Sequence, residues 1–91
     1  MEFEKLRLEI GKKYLDTDLK SGPFFLLAVL FEEVGELAEA VRKGELENIR
    51  EELVDVLFMV LSLSNIFEVD LEKRIVEKYI EGDPRSRWDL P

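Results

Sequence analysis

Glu33 and Glu36, then Glu52 and Asp55, form two acidic pairs with the same i,i+3 spacing, each set inside a strongly apolar stretch. In an α-helix, residues three apart lie roughly 60° from each other around the axis and ~4.5 Å apart along it, so each pair shares one face. If the two helices pack as a hairpin, all four carboxylates can converge. Anions gathered in a partly buried place repel and lose hydration, so protons or a cation must neutralise them. Carboxylate oxygens with no histidine in the chain select a hard divalent cation, Mg²⁺ or Mn²⁺. Such a cation leads to phosphate chemistry.

Acidic residues on helices are commonly just solvated. That reading suffices for Glu45, Glu47, Glu51, Glu72, Glu77 and Glu81, as solvated charges or i,i+4 partners of Lys and Arg. It suits Asp55 poorly, because aspartate is a weak helix former and here sits between Val54 and Val56 in the most apolar run of the chain. A lone Asp there calls for a partner. Val34, Leu37 and Ala38 surround the first pair in the same way.

The composition narrows the remaining classes. Ninety-one residues form one domain, residues 1–91, with a limited core. With 46% hydrophobic residues, including six Phe, the chain has more apolar material than a small hairpin hides, so part of it is expected between subunits. A net charge of −8 disfavours a nucleic-acid backbone as partner, though a small nucleotide remains compatible because bound metal reverses the local charge. Without cysteine there is no disulfide framework or zinc–thiolate site, and without histidine no common catalytic triad or Glu-x-x-His di-iron pattern. The opening MEFEK has no apolar targeting core. The uncharged run 56–67 falls short of the ~20 apolar residues that span a bilayer. These features predict a cytoplasmic protein without a membrane partner.

Four helices and a tail must position the carboxylates. The first is expected from about Glu2 to Leu15, with Leu6 and Ile10, joined by Phe3 and Tyr14, on its inner face and the polar stretch 16–20 ending it. Ser21-Gly22-Pro23 introduces the second, with Pro23 in the first turn, where a missing N–H does no harm, and Gly44 closing it after Arg42-Lys43. The third starts near 45–48 and reaches about Phe67; its length and the spacing of its carboxylates favour helix over a buried strand. Between Leu53 and Leu63 it is apolar on nearly every side, which predicts a central helix facing another subunit. Asp70 N-caps a fourth helix to about Ile80, with Gly82 behind it, and residues 83–91 read as an extended tail. The expected fold class is all-α, a four-helix bundle completed by a homodimeric or homotetrameric interface.

Glu32-Glu33-Val34-Gly35-Glu36, a gap of fifteen residues, then Glu52-Leu53-Val54-Asp55 resembles the EExxE…ExxD signature of the MazG-like nucleoside triphosphate pyrophosphohydrolases. The surrounding FEEVGELAEAVRKGE and EELVDVLFMVLSLSN are similar to that family too, over about Leu30 to Phe67. The resemblance implies an all-α dimer or tetramer and Mg²⁺-dependent hydrolysis of a nucleoside triphosphate to the monophosphate and pyrophosphate. By position, Glu33, Glu36, Glu52 and Asp55 would be the metal ligands, and Glu32 would support the site or hold a water. Glu33 is the expected acceptor of a proton from the attacking water. Glu39 continues the same face, as a site residue or a solvated one.

Basic groups expected to hold the phosphates are Lys73, Arg74 and Lys78 on the last helix and Arg85 and Arg87 in the tail, with Lys12 and Lys13 as further candidates; each also reads as a surface charge of an acidic protein. Asn65 is a candidate nucleotide contact or a helix-end residue, and Phe24, Phe25, Phe58, Tyr14 and Trp88 are stacking or core groups, Phe58 most clearly core. Two alternatives compete. Phosphoribosyl-ATP pyrophosphohydrolases resemble the same carboxylate pattern, and a metal-stabilised helical interaction module would need no turnover.

Overall fold

The computed structural model describes residues 2–82, which form α1 (Glu2–Ser21), α2 (Pro23–Lys43), α3 (Leu46–Ile66) and α4 (Leu71–Ile75), the last running on into a π-helical turn, Val76–Ile80. There is no strand among the described residues, so the chain is all-α. Whatever concerns the tail, including Arg85, Arg87 and Trp88, lies outside the described residues.

α2 and α3 form the most extensive helix pair, α1 packs mainly on α3, and α4 rests against α1. The α2–α3 connection is two residues long, which folds the helices back as an antiparallel hairpin. Gly44 makes that reversal possible: its φ of 69° lies in the left-handed region. The Gly44 and Glu45 amides then close the helix end by donating to the carbonyls of Val41 and Ala40, both at 3.1 Å.

α1 does not end at Leu15 but continues through the polar stretch to Ser21. Polarity alone does not stop a helix. The break comes at Gly22, with φ 87°, followed by Pro23, which cannot donate to the preceding turn. The inner face of α1 also differs from the expectation, because Leu6 is 45% exposed while Arg7 is buried. Arg7 is drawn inward by partners: Nε and Nη2 each donate to Glu4 at 2.7 Å, and Nη1 donates to Asn65 Oδ1 of α3 at 2.6 Å. Asn65 Nδ2 donates in return to the Arg7 carbonyl at 3.0 Å. This exchange bolts α1 to the C-terminal end of α3.

The small apolar core comprises Leu26, Ala40, Met59 and Leu61. Beside it Tyr14 meets half-buried Phe58 edge-to-face, with ring centroids 5.0 Å apart. Ser64 is buried and satisfied by donating to the Leu61 carbonyl at 2.7 Å. Only the C-terminal half of α3 is enclosed within the chain; Leu53 is 53% and Val54 58% exposed. Phe24 and Phe25 are likewise exposed and belong to no core of this chain.

Asp70 caps α4 as its sequence position suggests, Oδ1 accepting from the Lys73 amide at 3.1 Å. The helix keeps α geometry only to Ile75 before it widens. No helix among the described residues is long and apolar enough to cross a membrane.

Candidate metal centre

The acidic pairs meet at the α2–α3 seam. Glu33 and Glu36 project from α2 and Glu52 from α3, and each brings one carboxylate oxygen within 4.8 Å of the other two. The hairpin sets this up: antiparallel helices joined by a tight turn bring a position some eight residues before the turn opposite one about eight residues after it. Glu33 and Glu52 are half-buried and Glu36 is exposed, so the group opens to solvent on one side.

Two oxygens define its chemistry. Glu33 Oε2 and Glu52 Oε2 are both buried and neither has a hydrogen-bond partner. Buried acceptors with no donor are destabilising unless a proton or a cation joins them. The Glu52 carboxyl is accordingly pushed up to about 7, because a proton placed on it can be shared in a hydrogen bond with Glu33, burial adds to this, and the charges of Glu36 and Glu33 disfavour a further anion. A divalent cation would replace that proton. Three carboxylates at this spacing, two carrying orphaned oxygens, fit the all-oxygen donor set that Mg²⁺ or Mn²⁺ takes.

Asp55 is outside this group of mutually close oxygens and is exposed. Its apolar neighbours Val54 and Leu53 are also exposed, so the chain does not bury Asp55 and burial does not oblige it to have a partner. Glu32 is exposed on α2. A cavity of about 200 Å³ opens beside the cluster between Glu36, Glu52, Glu39, Glu45, Lys43 and Asn48. Lys43 Nζ lies 3.0 Å from Glu39 Oε1, and hydrogen bonding to that carboxylate raises its pKa.

Lys73 and Lys78, two of the expected phosphate ligands, line other cavities. Lys73 borders a cavity with Asp70, Glu72 and Glu77, and Lys78 an apolar one with Phe3, Leu57, Val60 and Tyr79. Neither cavity includes a residue of the carboxylate cluster. Asn65 is 8% exposed, with its oxygen and its nitrogen both engaged by Arg7. Sequence reasoning passed over Lys43 and Asn48 as site residues. Their signal was spacing: Lys43 stands seven residues beyond Glu36 and Asn48 four before Glu52, each returning to the face of its partner.

Residues 22–86 match the model of one family, the MazG nucleotide pyrophosphohydrolase domain. An uncharacterised protein of Archaeoglobus fulgidus is 40% identical over 81 residues, covering 71% of this chain and 87% of that protein. The uncharacterised protein YpjD of Bacillus subtilis is 35% identical over 79 residues, covering 72% of this chain and 70% of its own length.

Proposed function

This chain belongs to the MazG nucleotide pyrophosphohydrolase domain family, and from that premise we propose that it hydrolyses a nucleoside triphosphate to the monophosphate and pyrophosphate with the help of Mg²⁺. The observation that carries this reading is the pair of buried, partnerless oxygens on Glu33 and Glu52, with Glu36 completing the group. Glu33, Glu36 and Glu52 hold the cation, with Asp55, one turn beyond Glu52, as the fourth ligand. When bound, Mg²⁺ offsets the charge of the triphosphate oxygens and favours in-line attack by water.

The protein's own share is positional and electrostatic. Glu36 and Glu52 anchor the centre from two different helices, so the α2–α3 hairpin fixes its shape. Glu33 is the acceptor for the proton leaving the attacking water. Glu32, exposed on the next position of α2, supports the water. Because the Glu52 carboxyl is pushed up to about 7, a cation held here would compete with a proton, so affinity for the metal should rise with pH up to about 7. We place the reaction in the cytoplasm and the chain in a homodimer or homotetramer. The exposed apolar residues Phe24, Phe31, Leu53 and Val54 support the oligomer.

The test is pyrophosphate release from a panel of ribo- and deoxyribonucleoside triphosphates and phosphoribosyl-ATP, with Mg²⁺ or chelator. Turnover that requires Mg²⁺ and disappears in Glu36→Ala supports the proposal. Release from phosphoribosyl-ATP alone would reassign the substrate, and no release from any compound would leave a helical module without turnover.

A further inference from the structure

We propose that Lys43, at the C-terminal turn of α2, grips the distal phosphates of the substrate beside the carboxylate cluster, exchanging Glu39 for a phosphate oxygen. The inference rests on the hydrolase reading of that cluster for its substrate class, but on the cavity for its geometry. At roughly 30 Å³ of liquid volume per water, the cavity of about 200 Å³ holds the equivalent of about six or seven waters. That suits a diphosphate unit and is below the ~300 Å³ at which pockets begin to enclose whole drug-sized ligands. Its lining of carboxylates, Asn48 and Lys43 offers a base little apolar face, so the cavity suits phosphates rather than base and sugar.

Its electrostatics single out one residue. The lining carries four carboxylates, Glu36, Glu39, Glu45 and Glu52, and among the described residues lining it Lys43 is the one cation. Lys73 and Lys78 border other cavities. Lys43 is two turns from Glu36, about 10.5 Å along the axis and nearly in line with it. Helical side chains lean toward the N-terminus, so Lys43 reaches back toward the cluster, as its 3.0 Å contact with Glu39 shows.

Glu39 is a suitable placeholder. The two side chains are 54% and 53% exposed, and an i,i+4 pair of that kind shifts an equilibrium only about twofold. A polyphosphate brings several negative charges to one ammonium and is a stronger partner than a single exposed carboxylate. Lys43 thus waits, oriented and charged, on a partner it can leave cheaply.

The experiment measures binding of inorganic tripolyphosphate to the full chain by calorimetry in excess Mn²⁺, alongside Mn²⁺ binding without phosphate. Loss of one charge-assisted contact predicts that Lys43→Ala weakens tripolyphosphate binding about tenfold to a hundredfold, while Mn²⁺ binding is no weaker. Lys43→Arg should restore most of the affinity. Glu39→Gln should tighten tripolyphosphate severalfold, and should do so less when Lys43 is already Ala. Unchanged affinity in Lys43→Ala, or no tripolyphosphate binding by the Mn²⁺-loaded wild type, overturns the assignment. The two readings fail separately. Nucleotide turnover with an unaltered KM in Lys43→Ala removes Lys43 and leaves the hydrolase. Lys43-dependent tripolyphosphate binding without turnover of any nucleotide does the reverse.

Discussion

Replacing Asn65 with alanine separates a structural bolt from a nucleotide ligand. The side chain is buried and makes two bonds to Arg7, one from the guanidinium at 2.6 Å and one to the backbone carbonyl at 3.0 Å. A hydrogen bond to a charged group contributes about 1.5–3 kcal/mol, and a neutral one about 0.5–1.5 kcal/mol. Arg7 would not become an unpaired buried charge, because Glu4 still holds it through two 2.7 Å contacts, so the larger penalty for a stranded ion does not apply. The Arg7 carbonyl lies inside α1 and keeps its helical donor, so the neutral bond counts at the low end. The expected loss is therefore about 2–3.5 kcal/mol, out of the roughly 5–15 kcal/mol by which domains are stable. For a domain of this size that lowers Tm by about 8–28 °C. Urea unfolding followed by circular dichroism, at one fixed protein concentration, measures it; the midpoint should fall with no change in slope. Hydrolysis assayed well below the variant's Tm should retain a wild-type KM. A variant as stable as wild type to within about 0.5 kcal/mol, with a raised KM, would refute this reasoning and make Asn65 a substrate ligand.

Three further outcomes concern the acidic residues of α2 and α3. Thermal unfolding should shift upward on adding millimolar Mg²⁺ or Mn²⁺ and back on chelation, because a cation that binds only the folded chain stabilises it by mass action; an unmoved Tm counts against the centre. Glu52 titrates near 7 in the folded chain against 4.5 as its ordinary value, so between those values the folded state binds the extra proton. The contribution of Glu52 to the stability of the cation-free protein should then be fullest below about pH 4.5 and be lost as pH rises through about 7, so Glu52→Gln should remove that component from the pH dependence in a series of melts. Asp55→Asn should abolish hydrolysis yet change cation-free stability by no more than about 0.5 kcal/mol, since the side chain is exposed; a large change in the urea midpoint would show that Asp55 is covered by a second copy.

Much of this protein was legible before any fold was drawn, because helices are local objects. The i,i+3 acidic spacing, Pro23 in the first turn of α2, Gly44 in its left-handed cap and Asp70 at the start of α4 each depend on neighbours within a turn. The family signature is local in the same sense. Misjudged boundaries came from composition: polar residues 16–20 resemble a stop, but only Gly22 and Pro23 deny the backbone its next bond.

Tertiary structure alone decided which of these groups meet. Periodicity gives a residue's angle on its own helix and says nothing of how that helix is rotated or slid against the next. That rotation brings Glu33, Glu36 and Glu52 together, leaves Asp55 outside, and sets Lys43 at the same cavity. It also turns Arg7 inward in place of Leu6, because Glu4 and Asn65 neutralise and hydrogen-bond a charge that sequence pattern would assign to water. Glu4 is a local partner, but Asn65 is brought from fifty-eight residues away, and no local rule contains it.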